Sequence, residues 1–99
     1  MSKKHAPIHP GEILFQEFMK PLGLTNYRVA KETGMPADRV GRLVAGTRAF
    51  TGDTALRLAR FFKTTPGFWM NLQSRYDLDC AIDEAGNKID KRVKPWQAA

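Results

Sequence analysis

The chain has 99 residues, of which 42% are hydrophobic and 26% are charged, and its formal net charge is +6 at pH 7. This length and composition suit one small folded domain and exclude a chain that is disordered throughout. A single cysteine, Cys80, excludes an intramolecular disulfide, and without a long apolar run or a secretory leader we expect a cytoplasmic protein with no membrane span.

The first predicted helix follows a short polar lead-in, residues 1–8, which we expect to be flexible. His-Pro-Gly-Glu at 9–12 favours a helix start, because proline is tolerated in the first turn and a carboxylate is stabilised near the positive helix end. The apolar side consists of residues four positions apart, Leu14, Phe18 and Leu22. Pro21 predicts that the helix ends near Lys20, since the residue before a proline disfavours helical backbone.

Residues 25–46 predict two short helices joined by a tight corner, the pattern of a helix-turn-helix. Thr25 favours an N-cap, and Gly34 and Gly46 favour left-handed helix ends because glycine has no Cβ to clash. The apolar stripe of the second helix recurs at three- and four-residue spacing and comprises Val40, Leu43 and Val44. In a helix-turn-helix the second helix lies in the DNA major groove. The alternative is a plain helical corner in an all-α protein.

The positive charge is concentrated around this corner. Residues 25–63 contain eight basic and three acidic residues, whereas the rest of the chain contains eight basic and seven acidic ones. A local excess of this kind is what binding to phosphates requires, although a merely soluble basic surface remains the alternative.

Two further helices are predicted, each preceded by a threonine that favours an N-cap, Thr51 and Thr65. The expected apolar face of the fourth helix comprises Ala55, Leu56, Ala59 and Phe62. The fifth helix carries aromatic and aliphatic residues at helical spacing, namely Phe68, Trp69, Leu72 and Tyr76. These residues are typical of a core or of a contact between subunits.

The character of the chain changes at Cys80. Asp83, Glu84, Gly86 and Asn87 predict a helix end and a turn, followed by a charged stretch with three apolar residues. Whether this tail is disordered or becomes ordered against a partner is left open. We therefore divide the chain into a lead-in (1–8), a DNA-binding domain (9–79) and a charged C-terminal tail (80–99).

Three blocks of sequence carry a more specific signal than the helix-turn-helix alone. They are His-Pro-Gly-Glu-Ile-Leu at 9–14, Asp-Thr-Ala-Leu-Arg-Leu-Ala-Arg at 53–60, and Phe-Trp-Met-Asn-Leu-Gln at 68–73 with Tyr-Asp-Leu at 76–78. In this order, over about residues 9–78, the chain resembles the HigA family of plasmid-maintenance antitoxins, also called the virulence-associated protein I group.

The resemblance implies an all-α, five-helix, lambda-repressor-like DNA-binding domain with a short C-terminal tail. It also implies a homodimer that represses its own operon at an inverted-repeat operator in double-stranded DNA, and a partner, a RelE-like toxin that cleaves messenger RNA. Two positions depart from the family pattern. Asn26 stands where glutamine is usual, and Ala45-Gly46-Thr47-Arg48 replaces Asn-Gly-Lys-Arg, so that Arg48 keeps one charge of the usual pair.

Residues on the polar face of the second corner helix are the predicted base readers: Ala37, Asp38, Arg39 and Arg42. The predicted phosphate contacts are Asn26, Tyr27, Lys31, Thr47 and Arg48. The predicted dimer contacts are Trp69, Leu72 and Tyr76, for which burial within one subunit is the alternative. Asp38 is equally suited to stabilise the helix start, and Lys31 to lie on a solvated face. Gly41 is interpreted as permitting close approach to the DNA backbone or to a neighbouring helix.

Other classes of function remain as alternatives. A solitary transcription regulator without a toxin would have the same DNA-binding half. A protein-interaction module would lack DNA binding. An enzyme is disfavoured, because His5 and His9 have no acid and nucleophile near them in the sequence and no residues show metal-ligand spacing. We therefore expect no catalytic residue, no metal and no cofactor.

Overall fold

The computed structural model describes residues 6–97, and over that range the chain forms five helices and no strand. The first, α1, is continuous and has three segments, Pro10–Ile13, Leu14–Met19 and Lys20–Leu22. The others are α2 (Asn26–Thr33), α3 (Ala37–Ala45), α4 (Gly52–Phe62) and α5 (Pro66–Arg92). The predicted all-α, five-helix fold is confirmed. Of the predicted lead-in, residues 1–5 lie outside the described range.

α1 is longer than the sequence predicted. Its middle segment, Leu14–Met19, is wound as a π-helix, and the backbone N–H of Lys20 donates to the carbonyl of Phe15. The wider winding moves the carbonyls away from where the ring of Pro21 would clash in an ordinary α-helix. The helix therefore continues through Pro21 and ends at Gly23, whose φ is 64°, so the predicted end near Lys20 was wrong.

The predicted helix ends around the corner and beyond it are confirmed. Side-chain oxygens of three threonines accept hydrogen bonds from the backbone N–H three residues later, at 3.1–3.4 Å: Thr25, Thr51 and Thr65. Gly34 and Gly46 have φ of 73° and 79°, which only glycine adopts without strain. These local signals fix where α2 begins, where α2 and α3 end, and where α4 and α5 begin.

The core lies between α1, α2, α3, α4 and the first half of α5. Trp69 is fully buried at its centre and stacks on Phe50, with ring centroids 5.7 Å apart. The other buried apolar side chains are Leu14, Met19, Val29, Ala30, Met35, Val40, Leu43, Ala55, Leu58 and Ala59. Two predicted apolar positions are instead exposed, Leu22 and Leu56, and Leu58 takes the inward place on α4.

α5 is the largest departure from the sequence prediction. It runs for 27 residues through Cys80 to Arg92, so the helix end and turn predicted at residues 83–87 were wrong. Gly86 has no positive φ and is held within the helix, where a glycine costs only about 1 kcal/mol relative to alanine. The boundary drawn between residues 79 and 80 therefore falls inside a continuous helix, and the division into domain and tail stays a prediction.

Candidate nucleic-acid interface

α2 holds α3 through small and branched apolar residues. Ala30 of α2 is almost fully buried, and Val40 and Leu43 of α3 are completely buried, as predicted. Because Val40 and Leu43 are buried against the core, the opposite side of α3 faces away from it. The residues on that side are Ala37, Asp38, Gly41 and Arg42. α3 thus offers its polar side to the surroundings.

Arg42 and Asp38 lie together on this exposed side. The Arg42 Nε is 3.0 Å from the Asp38 Oδ2, and the two side chains are 61% and 75% exposed. An exposed ion pair one helical turn apart contributes only about 0.3–0.5 kcal/mol, so it does not prevent Arg42 from turning to another anion. Ala37 is also exposed. The structure therefore brings three of the four predicted base readers to one accessible face.

The fourth, Arg39, is held elsewhere. Its side chain is only 22% exposed, and its Nη1 donates to the Asp53 Oδ2 at 2.8 Å. The same carboxylate accepts from the Arg57 Nε at 2.9 Å, and the Arg57 Nη1 donates to the Thr33 carbonyl at 2.9 Å. This network joins α3 to α4 and to the end of α2. Arg39 is therefore paired within the fold and set apart from the other three residues, and its predicted role as a base reader stays a prediction.

The charges in this network stabilise one another. Hydrogen bonds from Arg57 and then Arg39 lower the pKa of Asp53 below its ordinary value, outweighing a smaller opposing effect of burial. Asp53 therefore stays ionised well below neutral pH. The spacing of Asp53 and Arg57 by four residues was a sequence signal for one half of the network.

The predicted phosphate contacts are all exposed, namely Asn26, Tyr27, Lys31, Thr47 and Arg48. A Cβ on Gly41 would have the Asn26 Nδ2 as its nearest neighbour, at 3.9 Å, which places Asn26 beside the outer side of α3. The Thr47 hydroxyl donates to the Arg42 carbonyl at 3.4 Å, so Thr47 lies directly at the end of that helix. Within residues 6–97, neither Lys31 nor Arg48 forms an ion pair.

Sequence patterns did not identify the role of residues 9–11. The His9 Nδ1 accepts from the Gly11 N–H at 2.9 Å and so caps α1. A Cβ on Gly11 would lie 1.7 Å from the Leu43 carbonyl oxygen, so the start of α1 rests directly on the backbone of α3. The His-Pro-Gly sequence was a signal for a helix start, but nothing in it revealed which helix it would contact.

One predicted dimer contact is corrected by its burial. Trp69 is 0% exposed, and its Nε1 donates to the Thr64 Oγ1 at 2.9 Å, so it serves its own subunit only. Leu72 packs partly against the same core, and the ring of Tyr76 meets His9 edge-on with centroids 4.9 Å apart. Leu72 and Tyr76 stay predicted dimer contacts.

The second half of α5 exposes a different apolar surface. Leu78, Ile82 and Ile89 are 59%, 55% and 50% exposed. With Ala85 they recur at intervals of four, three and four residues, which places them on one side of the helix, roughly opposite the side that carries Trp69. We call these four residues the distal stripe.

Two classes of site are absent from the described part of the chain. Residues 6–97 contain no group of three or more histidine, cysteine, aspartate or glutamate side chains able to hold a metal ion. Over the same range, no helix has the length and apolar character needed to cross a bilayer.

Comparison with known proteins gives one consistent family. The helix-turn-helix family model HTH_3 matches residues 15–69. Virulence-associated protein I of Dichelobacter nodosus is 45% identical over 74 residues, which cover 75% of this chain and 68% of that protein.

Solved structures show the same similarity over nearly the whole chain. An addiction module antidote protein of a HigA family from Coxiella burnetii is 47% identical, with a TM-score of 0.89 over 93% of this chain and 100% of that one. Pseudomonas aeruginosa antitoxin HigA, solved with the higBA promoter, is 38% identical, with a TM-score of 0.89 over 92% of this chain and 99% of that one.

Proposed function

The chain belongs to the HTH_3 helix-turn-helix family, in its HigA and virulence-associated protein I group, and we propose that it is a sequence-specific DNA-binding antitoxin that represses its own operon. The observation that carries the proposal is the exposed polar side of α3, on which Arg42 is 61% exposed while Val40 and Leu43 anchor the opposite side. The HigA structure with promoter DNA supports it.

In this proposal the outer side of α3 reads base edges in the major groove. Arg42 donates two hydrogen bonds to a guanine, a contact that discriminates against other bases by about 1–3 kcal/mol. Ala37 contacts a thymine methyl group. Asp38 accepts from a cytosine amine or, in the alternative role, stabilises the start of α3. Gly41, between them, lets the helix approach the DNA closely.

The flanking residues hold the phosphates and do not select sequence. Asn26 and Tyr27 do so from the start of α2, with Lys31 farther along that helix, and Thr47 and Arg48 from the loop after α3. The concentration of positive charge in residues 25–63 supports this assignment, because each neutralised phosphate releases a counterion and makes binding depend on salt.

One domain presents one recognition helix, so we propose a symmetric homodimer that binds half-sites about 34–36 Å apart in an inverted repeat. The distal stripe supports a contact between two copies of α5, as an alternative to the predicted contact through Leu72 and Tyr76, which lie toward the other side of that helix. In an antiparallel pair with its two-fold axis midway between Ile82 and Ala85, Leu78 meets the partner's Ile89 and Ile82 meets the partner's Ala85. A self-complementary surface of this kind is what a two-fold interface requires.

The dimer is tested by sedimentation at micromolar concentration without DNA. We expect the wild type to be a dimer and Ile82→Glu a monomer, because a charge would be buried in the contact. Leu56→Glu is the matched control, since Leu56 is similarly exposed, at 61%, but lies on α4. A monomeric wild type, or a dimeric Ile82→Glu, would contradict this arrangement.

We further propose a toxin partner, a RelE-like ribonuclease that this chain neutralises in the cytoplasm, and no catalytic activity of its own. Support comes from the relatives that are named as antidote or antitoxin proteins. The test is co-purification with the product of an adjacent open reading frame, followed by assay of messenger RNA cleavage with and without this chain. If no neighbouring product binds, the chain is a solitary regulator.

DNA binding itself is tested by a gel shift at physiological salt, with the sequence upstream of the chain's own gene and excess non-specific competitor. We expect a shifted band that scrambled DNA of the same composition does not give. A chain that shifts both sequences equally, or neither, would refute sequence-specific binding.

A further inference from the structure

His9 lies where three parts of the fold meet. Its ring packs on Gly46 at the end of α3, with the nearest ring atom 3.6 Å from where a Cβ would be. It meets the rings of Phe50 and Tyr76 edge-on, with centroids 6.1 and 4.9 Å apart. The backbone of Arg48 is also near enough to the ring to raise the pKa of His9, an effect smaller than that of burial. One side chain thus contacts the end of α3, the loop after it and α5.

The same residue fixes the start of α1. Its Nδ1 accepts from the Gly11 N–H, and Gly11 approaches the Leu43 carbonyl so closely that no side chain fits between them. α1 therefore reaches the last turn of α3 through a short rigid segment. A change at His9 would be transmitted to the backbone that places Thr47 and Arg48.

We propose that His9 is a pH-sensitive positioning residue, which holds the end of α3 and the loop carrying Arg48 in the DNA-binding arrangement only while its ring is neutral. The effect of His9 on DNA binding rests on the proposed function, whereas its positioning of the end of α3 is a property of the free protein.

The contacts of His9 require the neutral ring. Nδ1 accepts from Gly11 only when it carries no proton, whereas a protonated ring would point an N–H at another N–H. It would also place a positive charge at the positive end of α1. Protonation therefore exchanges a capping hydrogen bond for a repulsion.

The charged and titratable groups around the ring do not reverse this preference. On α5, the Asp77 carboxylate favours the protonated ring of His9. Tyr76, on the same helix, has a pKa above its ordinary value, and the largest cause is its hydrogen bond with Cys80. Arg48 follows the end of α3, and Glu12 is on α1 itself. Burial outweighs the effects of the Arg48 backbone and Asp77, and the pKa of His9 is lowered from 6.5. The stabilising contribution is thus complete above pH 6.5 and is lost as the pH falls through the lowered pKa.

The experiment compares the wild type with His9→Asn and His9→Ala, in operator binding between about pH 5 and pH 8. Asparagine also accepts from the Gly11 N–H as an N-cap but does not titrate. We expect His9→Asn to keep most of the wild-type affinity at neutral pH and to lose the acid-induced weakening. His9→Ala should bind about fivefold more weakly at neutral pH, which is the effect of one lost capping hydrogen bond on an equilibrium. His5→Asn, at the other histidine of the chain, should keep the pH dependence.

A DNA-free arm separates this inference from the proposed function. In NMR spectra of the free protein, the His9 ring should titrate below 6.5, and the amide signals of Gly46 and Arg48 should follow the same midpoint. A His9→Asn variant with the pH dependence of the wild type would overturn the inference. Amide signals of Gly46 and Arg48 that do not shift at the midpoint of the His9 titration would overturn it as well. If the wild type binds no operator at any pH, the proposed function fails, and the amide titration alone decides whether His9 positions this loop.

Discussion

Replacing Gly41 by alanine should stabilise the protein and weaken its DNA binding. Gly41 lies in the interior of α3, one turn after Ala37 and Asp38 on the exposed side. Among residues 6–97, and apart from the backbone of α3 itself and the two chain neighbours, the only atom within 4 Å of an added Cβ is the Asn26 Nδ2, at 3.9 Å, an ordinary van der Waals contact. No neighbouring helix requires a glycine here, so the remaining interpretation of Gly41 is close approach to DNA.

The expected stabilisation follows from helix propensity. Glycine inside a helix is less stable than alanine by about 0.5–1 kcal/mol, and the structure adds no steric cost. In a domain of this size, 1 kcal/mol shifts the melting temperature by roughly 4–8 °C, so Gly41→Ala should raise it by about 2–8 °C. A methyl group at the DNA surface would instead push the helix outward and weaken its contacts with bases.

The assay pairs thermal unfolding with operator titration for Gly41→Ala and a control, Gly86→Ala. Gly86 is also inside a helix, and its added Cβ would meet the Ile82 Cγ2 at an ordinary 3.7 Å. The control should gain similar stability and keep its operator affinity, with sedimentation confirming that its oligomeric state is unchanged. A destabilised Gly41→Ala would refute the packing argument, and a stabilised one with wild-type affinity would remove Gly41 from the interface.

Three further substitutions test other parts of the account. Gly11→Ala should lower the free energy of unfolding in urea by about 3 kcal/mol, because its Cβ would lie 1.7 Å from the Leu43 carbonyl oxygen; wild-type stability would contradict the docking of α1 on α3. Arg48→Ala should weaken binding to operator and scrambled DNA equally and reduce the salt slope by about 1, whereas a sequence-selective loss would contradict a phosphate contact. Asp53→Asn should release Arg39 and remove the stability that Asp53 contributes above pH 3.8 and loses as the pH falls through its lowered pKa. The urea midpoints of variant and wild type should therefore converge in acid, and equal midpoints at neutral pH would count against the network.

The parts of the fold that the sequence predicted well depend on local chemistry. Thr25, Gly34 and Gly46 each act within three or four residues, through a cap or a left-handed backbone, so their identity alone places the ends of α2 and α3. The inward positions of α3 could also be predicted, because the spacing of its apolar residues along the sequence places them on one side of the helix. The end of α5 was missed because a glycine in a long helix is a small penalty that the neighbouring residues overcome.

The site was predicted less completely, since pairing across the fold has no signature in the sequence. Arg39 was predicted to face DNA together with Arg42, yet a carboxylate 14 residues away holds it. Trp69 suited an interface by its type, but packing against Phe50 buries it. His9 was recognised as part of a helix start, and its contacts with Gly46 and Tyr76 emerge only when three separate segments are folded together.

The most direct test of the account is the discrimination between operator and scrambled DNA, measured in competition at physiological salt for Arg42→Ala and Arg75→Ala. Both variants lose one positive charge, but Arg75 lies on α5, beside Asp79. Arg42→Ala should reduce the difference in binding free energy between operator and scrambled DNA by about 1–3 kcal/mol. Arg75→Ala should leave that difference unchanged. An Arg42→Ala variant that discriminates as well as the wild type would contradict the claim that the outer side of α3 reads the sequence.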